Sequence, residues 1–264
     1  MEKEKIHQVK ESWSPYCFLP KSLRVFSKRI WAFIGFPPHL STIFRYELDM
    51  FILRIICFLS LGYRSQIRRL RRLSDLKIHL GCGNIVKLNW LNVDCYPPPK
   101  KNLTSETEIL VLDVRKGLPL SEGSAKSIYS EHFFEHIPLS IVREVILPNC
   151  FELLDTGGVI RIGVPDGETL LSGYSSDNKK EENPHFVNLK EGQTKMMRCN
   201  DLVTGNQHLF LYDFETFEFI LKEAGFISIK KSGSNESEEV DFKNVDSTDS
   251  YRKATTLYIE AKKP

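Results

Sequence analysis

From Leu76 onward the chain alternates short apolar runs with polar, glycine-marked turns. LKIHL (76–80) predicts a strand ending at Gly81-Cys82-Gly83, and WLNVD (90–94) a second strand ending at Asp94 before Pro97-Pro98-Pro99. EILVLDV (108–114) and KSIYS (126–130) continue the series. Leu139–Leu154 has apolar residues at helical spacing, with Pro148 placed to bend or split it, and Gly157-Gly158 then turns the chain into VIRIGV (159–164). A helix is expected over Phe214–Ala224, followed by strands FISIKK (226–231) and TLYIE (256–260). Strands alternating with helices predict an α/β domain with a mainly parallel sheet. In such a sheet ligands sit outside the carboxyl ends of the strands.

Before residue 74 the pattern is different. Residues 1–38 are punctuated by Pro15, Pro20, Pro37 and Pro38 between short aromatic clusters. Ser41 or Thr42 can cap a helix running to about Ser60, with Gly62 at its C-terminal end, and a second helix is expected over Ser65–Leu73 with Ile67, Leu70 and Leu73 on one side. The chain therefore divides into a helical extension (1–73) and a domain (74–264). Within the domain, 172–207 is a polar stretch suited to a substrate lid, and 232–250 has the composition of a solvated or mobile acidic loop.

Charge sharpens this division. Residues 1–73 hold 14 Lys/Arg against 5 Asp/Glu, although the whole chain is only +2. With Trp31, Phe33, Phe36, Phe44, Phe51 and Phe58 beside these charges, two readings stay open. The aromatics cover the core or a homodimer face and the arginines are solvated, or the segment lies on an anionic membrane surface. A nucleic-acid partner would use the same charge, but the acidic remainder disfavours it. Met50–Leu61 spans about a dozen residues and contains Arg54, too short for a transmembrane helix. Six cysteines without a CxxC pair, and a start that lacks a signal peptide's apolar core, predict a reduced cytoplasmic protein with no metal site.

The candidate chemistry lies at the strand ends. Gly81 and Gly83 allow a sharp turn and a close approach of backbone to ligand. Asp94, one strand on, can accept both hydroxyls of a ribose, and Asp113, one strand further, is placed toward an adenine edge. Each alone has an ordinary reading as a turn or cap residue; the ordered succession is more specific than any one of them.

HLGCG (79–83), WLNVD (90–94), LDV (112–114), IYSEHFFEHIP (128–138), LLDTGGVIRIGVPD (153–166) and HLFLYDFETFEFILKEAGF (208–226) together resemble the class I S-adenosylmethionine-dependent methyltransferases. More narrowly they are similar to the bacterial, methyltransferase type 11-like branch associated with glycan and small-molecule modification. The resemblance covers about residues 76–264. It implies a Rossmann-like, seven-stranded, mostly parallel sheet with an antiparallel last strand. It also implies that Gly81, Cys82 and Gly83 pass the methionine and ribose of S-adenosylmethionine along their backbone. Asp94 would bind the ribose, Asp113 and Val114 the adenine, and Ser130 and Glu131 would lie by the methionine end. The sequence departs from the family's first motif at His79 and Ile85, where an acid and a third glycine are usual. Asn84–Asn89 is also too short for a crossover helix, so a loop or single turn is expected there.

An oxygen acceptor would need its proton removed, a task suited to histidine. His132, His136 and His208 are the candidates, with His208 favoured as the catalytic residue and Asp166 as its rival; Glu135 is expected to order the loop. The implied activity is methyl transfer to an oxygen or nitrogen of a small molecule or a glycan. The alternatives are a catalytically inactive cofactor-binding scaffold, motivated by His79 and Ile85, and a nicotinamide-dependent oxidoreductase, which the missing GxGxxG disfavours.

Overall fold

The computed structural model describes residues 38–175, 183–187 and 189–264. The expectations on Pro15, Pro20, Pro37, Trp31, Phe33 and Phe36 lie outside the described residues, as does part of 172–207.

Two helices, α1 (Pro38–Leu59) and α2 (Leu61–Leu70), precede the sheet. The break falls at Ser60, whose hydroxyl accepts from the Tyr63 amide and caps α2. This corrects the expected boundaries: Gly62 stands in the first turn of α2 and does not close α1. Ile67 and Leu70 are buried as expected, whereas Leu73 lies beyond the helix and is exposed.

The strands are β1 (Leu76–Leu80), β2 (Leu91–Asp94), β3 (Glu108–Val111), β4 (Ala125–Glu131), β5 (Leu154–Pro165), β6 (Ile227–Ser232) and β7 (Thr256–Lys262). They form one sheet in the order β3-β2-β1-β4-β5-β7-β6. β1 through β5 pair in parallel, and β7 runs antiparallel to both β5 and β6. This is the Rossmann-like α/β arrangement with its antiparallel last strand. The helices of the domain are α3, α4 (Gly167–Ser175), α5 (Lys195–Val203), α6 (Phe214–Glu223) and α7 (Ser250–Thr255). α3 runs from Leu139–Ile141 through a π-helical turn, Val142–Ile146, into Leu147–Leu153. The wide turn sits immediately before Pro148, whose ring nitrogen cannot donate, and lets the helix continue where an unbroken α pattern would clash.

The two faces of the sheet are covered differently. Strand alternation sends Ile78, Leu80, Leu91, Val93 and Leu110 to one face, where they pack with Ile67 and Leu70 of α2, Ile146 and Leu147 of α3, and Phe217 and Leu221 of α6. On the other face Trp90, Tyr129 and Val159 meet Phe242 and Val245 from the segment between β6 and α7. The 232–250 segment is therefore docked, which corrects the expectation of a solvated or mobile loop. Its anchor is Arg161 on β5, a fully buried guanidinium paired with Asp246 at 2.5 Å and with Glu260 at 2.7 Å. The same guanidinium donates to Ser232 Oγ and to the Gly233 carbonyl, so one buried cation ties β5, β7 and both ends of the segment together. Removing one partner of a buried pair leaves an uncompensated charge, which costs about 3–5 kcal/mol. Asp246→Ala should accordingly lower the unfolding free energy by about 3 kcal/mol or more in urea denaturation. A loss below about 0.5 kcal/mol, the level of an ordinary surface change, would contradict this anchoring.

Candidate active site

Register places the two best cofactor candidates side by side. Leu80 pairs with Val93, so Gly81 and Asp94 leave neighbouring strands at the same edge. The Gly81 and Cys82 amides both donate to the Val93 carbonyl, at 2.9 and 3.1 Å. Gly81 and Gly83 hold φ of +72° and +51°, the left-handed region that a side chain makes costly. A Cβ on Gly81 would lie 2.3 Å from the Phe133 side chain, so there is no room for one. The turn closes on Asp94: the Gly83 amide donates to Oδ2 at 2.8 Å and the Tyr96 amide to Oδ1 at 3.1 Å. Burial pushes the Asp94 carboxyl pKa up, while these amides and the Cys95 groups pull it back. With the Cys95 groups the carboxylate has as many donors as it has acceptor positions, so a ribose hydroxyl would share or replace one of them.

The chain between β1 and β2 forms turns and no helix, as its length requires. Asn92 latches it: its side chain accepts from the Lys87 amide and donates to the carbonyls of Lys87 and Trp90. His79, one of the two departures from the family pattern, is buried with Nδ1 at 3.2 Å from Asn92 Oδ1 and its ring beside Tyr129. It packs the far face of the sheet. Ile85, the other departure, is exposed.

Asp113 is placed differently from the expectation. Its buried carboxylate accepts from Arg54 on α1 and from both the amide and the guanidinium of Arg115. Burial alone would raise its pKa; the bonds from Arg115 and Arg54 hold it below the usual carboxylate range. With its oxygens taken by two arginines, Asp113 clamps α1 to the end of β3, and an adenine amino group finds no vacant oxygen lone pair there. Val114 follows in the turn that Asp113 caps. The clamp went unseen in the sequence because Arg54 is remote from it. Tyr46 and Glu47 of α1 meet Arg115 at the same place.

At the end of β4 the Ser130 hydroxyl is fully buried and has no hydrogen-bond partner among the described residues. Glu131 turns toward β7, where Tyr258 Oη and the Ser247 amide donate to its Oε1 at 2.6 and 3.1 Å. The next residues gather the histidines. His132, at φ +54°, places Nδ1 3.1 Å from Glu135 Oε1 and Nε2 3.0 Å from Thr256 Oγ1. His136 Nε2 and His208 Nε2 each stand 3.9 Å from the same Oε1, with their rings edge to face at 4.8 Å. The Glu135 carbonyl also accepts the amides of Leu209 and Phe210, which brings His208 to the β4 edge. Glu135 is completely buried. Burial opposes its ionisation, but the His132 bond and the adjoining histidines hold its pKa below the ordinary value. Burial pushes His208 down to about 4, so it is neutral at pH 7 and a weak proton acceptor.

Asp166 serves a structural purpose. Its Oδ1 accepts the amides of Glu168 and Thr169 and its Oδ2 the Thr169 hydroxyl, an N-terminal cap for α4. Three of its acceptor positions thus serve the helix, which leaves it the weaker rival to His208. The sequence had no means of separating a capping aspartate from a reactive one. A cavity of about 590 Å³ lies between the starts of α4 and α6, lined by Glu168, Ser172, Tyr212, Asp213 and Lys231 among others, and by none of the glycine-turn residues.

No protein-family model and no curated protein matches the chain. Among solved structures it is similar to a SAM-dependent methyltransferase from Archaeoglobus fulgidus, at 18% identity and TM-score 0.46, over 76% of this chain and 92% of the other. It is also similar to an S-adenosylmethionine-dependent methyltransferase from Mesorhizobium loti, at 12% identity and TM-score 0.44, over 77% and 98%. A third likeness is to Haemonchus contortus phosphoethanolamine N-methyltransferase 2 in complex with S-adenosyl-L-methionine, at 14% identity and TM-score 0.42, over 83% and 58%. Likenesses this distant do not decide what the chain does.

Two outcomes follow from the geometry of the turn. Gly81→Ala should destabilise the protein by at least about 1–2 kcal/mol in thermal or urea unfolding, since it meets both the left-handed backbone and the Phe133 side chain. Wild-type stability in that variant would contradict the conformation described. Burial pushes His79 down to about 3, whereas an unfolded histidine takes up its proton below about pH 6.5. The unfolded state therefore binds the extra proton between these values, and stability falls as the pH drops from about 6.5 toward 3. His79→Leu should flatten the pH dependence of unfolding between pH 6.5 and 5 by about 2 kcal/mol, and an unchanged slope would place the proton uptake elsewhere.

Proposed function

We propose that this protein is an S-adenosylmethionine-dependent methyltransferase acting on an oxygen or nitrogen of a small molecule or a glycan. The observation that carries this reading is the left-handed Gly81–Gly83 turn tied by the Gly83 amide to the Asp94 carboxylate on the neighbouring strand. The turn offers close backbone approach where a side chain would block it, the carboxylate stands at the same edge and could exchange one of its donors for a ribose hydroxyl, and the buried Ser130 hydroxyl is a polar group that a ligand would satisfy. These residues fit the group. Bound there, S-adenosylmethionine would supply an electrophilic methyl on a sulfonium.

The chain's own part is to hold and orient. Asp94 fixes the ribose end, the backbone at Val114 borders the adenine, and Phe133 closes against the turn. His136 and His208, anchored on Glu135 at the same edge of the sheet, are placed to hold an acceptor's polar atom. Proximity of this kind is worth much of the barrier in an in-line displacement. A nicotinamide dinucleotide is the poorer fit. Its pyrophosphate is ordinarily held by the N-terminus of a helix that follows the glycine turn, and here only turns follow Gly83.

The polar stretch 172–207 would serve this site as a substrate lid. α5 is moored through Lys195 to the carbonyls of Gly173 and Tyr174, and through Arg198 to the His185 carbonyl and the Tyr251 hydroxyl. His185 and Phe186 are buried beneath these bonds, with Lys195 over the Phe186 ring, so an opening of the described part would have to release that ring.

The peripheral membrane reading of the extension is favoured by one observation. α1 buries Met50 and Leu53 but leaves Phe51, Ile56, Phe58 and Leu59 exposed, and Arg64 of the arginine-rich α2 folds back onto the Phe58 ring. Exposed apolar side chains beside arginines match an anionic bilayer. Among the described residues no helix is long and apolar enough to cross a membrane.

Charge-assisted hydrogen bonds contribute about 1.5–3 kcal/mol each, so Asp94→Ala should weaken S-adenosylhomocysteine binding by about ten- to 150-fold. Unchanged affinity in a folded variant would remove Asp94 from the site. Sedimentation with vesicles containing phosphatidylserine should capture the full chain, and Phe51→Ser with Phe58→Ser should lose that capture. Equal recovery of both proteins in the supernatant would assign the apolar face to another occupant, such as a second copy of the chain.

A further inference from the structure

Glu135 is a buried carboxyl that its described neighbours only half satisfy. It is fully buried, its Oε1 is approached by three histidines, and its Oε2 is buried with no hydrogen-bond partner among the described residues. An unpartnered anionic oxygen away from water is costly unless a cation or donor satisfies it. The neighbouring groups are two imidazole nitrogens, His136 Nε2 and His208 Nε2, each 3.9 Å from Oε1, and the donor atoms of the three residues all lie within 4.8 Å of one another. A tetrahedral ion with bonds of about 2.0–2.1 Å keeps its ligand atoms about 3.4 Å apart. Side-chain rotations that draw these donors in by about an ångström would seat one.

We propose that Glu135, His136 and His208 form a binding site for one divalent transition metal of the zinc class. Two imidazoles and a carboxylate are the donors that such borderline metals take, whereas magnesium and calcium prefer oxygen ligands alone. The surroundings fit as well. His132 bridges Glu135 Oε1 and Thr256 Oγ1, which fixes the carboxylate's direction as outer partners commonly do around metal ligands. The Glu135 carbonyl already joins the β4 edge to the chain at Leu209 and Phe210, so the ion would strengthen a contact the fold makes without it. Three protein ligands leave at least one position open, and the His136 side chain is a quarter exposed, so that position is reachable from solvent. There a water or an acceptor hydroxyl would be bound and acidified. This last consequence rests on the methyl-transfer reading; the metal site does not.

The test uses the full chain, stripped with a chelator and titrated calorimetrically with zinc chloride. One ion per chain is expected, and the double variant His136→Ala, His208→Ala should bind it about 100-fold or more weakly. Equal zinc binding by wild type and double variant, including binding through the free thiols, would overturn the proposal, as would the absence of binding. Because the double variant can misfold, cobalt(II) titration of the unmodified protein supplies a second readout. Strong visible d–d bands without a thiolate charge-transfer band support the site, and a thiolate band or no visible absorbance overturns it. S-adenosylhomocysteine titration of the same samples separates this outcome from the methyl-transfer reading, since either ligand can bind while the other fails.

Discussion

A backbone amide donating to a carboxylate on the next strand sets the form of the site. The bond from Gly83 to Asp94 holds a turn in which two glycines adopt left-handed backbone, and it converts the ends of β1 and β2 into one rigid edge. The parallel register beneath, Ile78 against Leu91 and Leu80 against Val93, delivers both ends to the same height. The apolar layer of α2, α3 and α6 then keeps that register in place, because a slip of one residue would reverse the faces of both strands. Candidate chemistry, strand pairing and core are therefore parts of one mechanical unit.

The extension and the acidic segment are drawn into this unit by charge. Arg54 reaches from α1 to Asp113, and Arg161 holds Asp246 and Glu260 beneath the 232–250 segment. Each joins elements far apart in the chain. On the opposite face Trp90, Tyr129, Phe242 and Val245 form a compact, largely aromatic cluster. The result is a carboxyl edge bordered by α1 on one side and by the β4–His208 junction on the other.

What was legible in the sequence follows from the range of the interactions involved. The strands were legible because their apolar runs end in glycine or aspartate, and the loop at Asn84–Asn89 because no crossover helix fits its length. The place of Asp94 at the end of β2 was legible for the same local reason. Ser60 was hidden because a serine followed closely by Gly62 reads equally as the end of one helix or the start of the next. The 232–250 segment looked solvated because its charges outnumber its apolar residues, and nothing local reveals that Phe242 and Val245 insert or that Arg161 waits 85 positions away. Asp166 and Asp113 read as site acids because a capping or ion-paired aspartate has the same letter as a reactive one. Glu135 had a signal of its own: His132, Glu135 and His136 stand at positions i, i+3 and i+4, a spacing that gathers side chains on one side of a turn.

As proposed, the edge formed by β1, β2 and β4 would bind S-adenosylmethionine. Hydrogen–deuterium exchange with and without S-adenosylhomocysteine measures this at the residues concerned. Slowed exchange is expected at 79–96 and 128–136, with 227–246 unchanged and no such protection from NADH. Unaltered exchange at the glycine turn in saturating S-adenosylhomocysteine, or protection there by NADH alone, would contradict it.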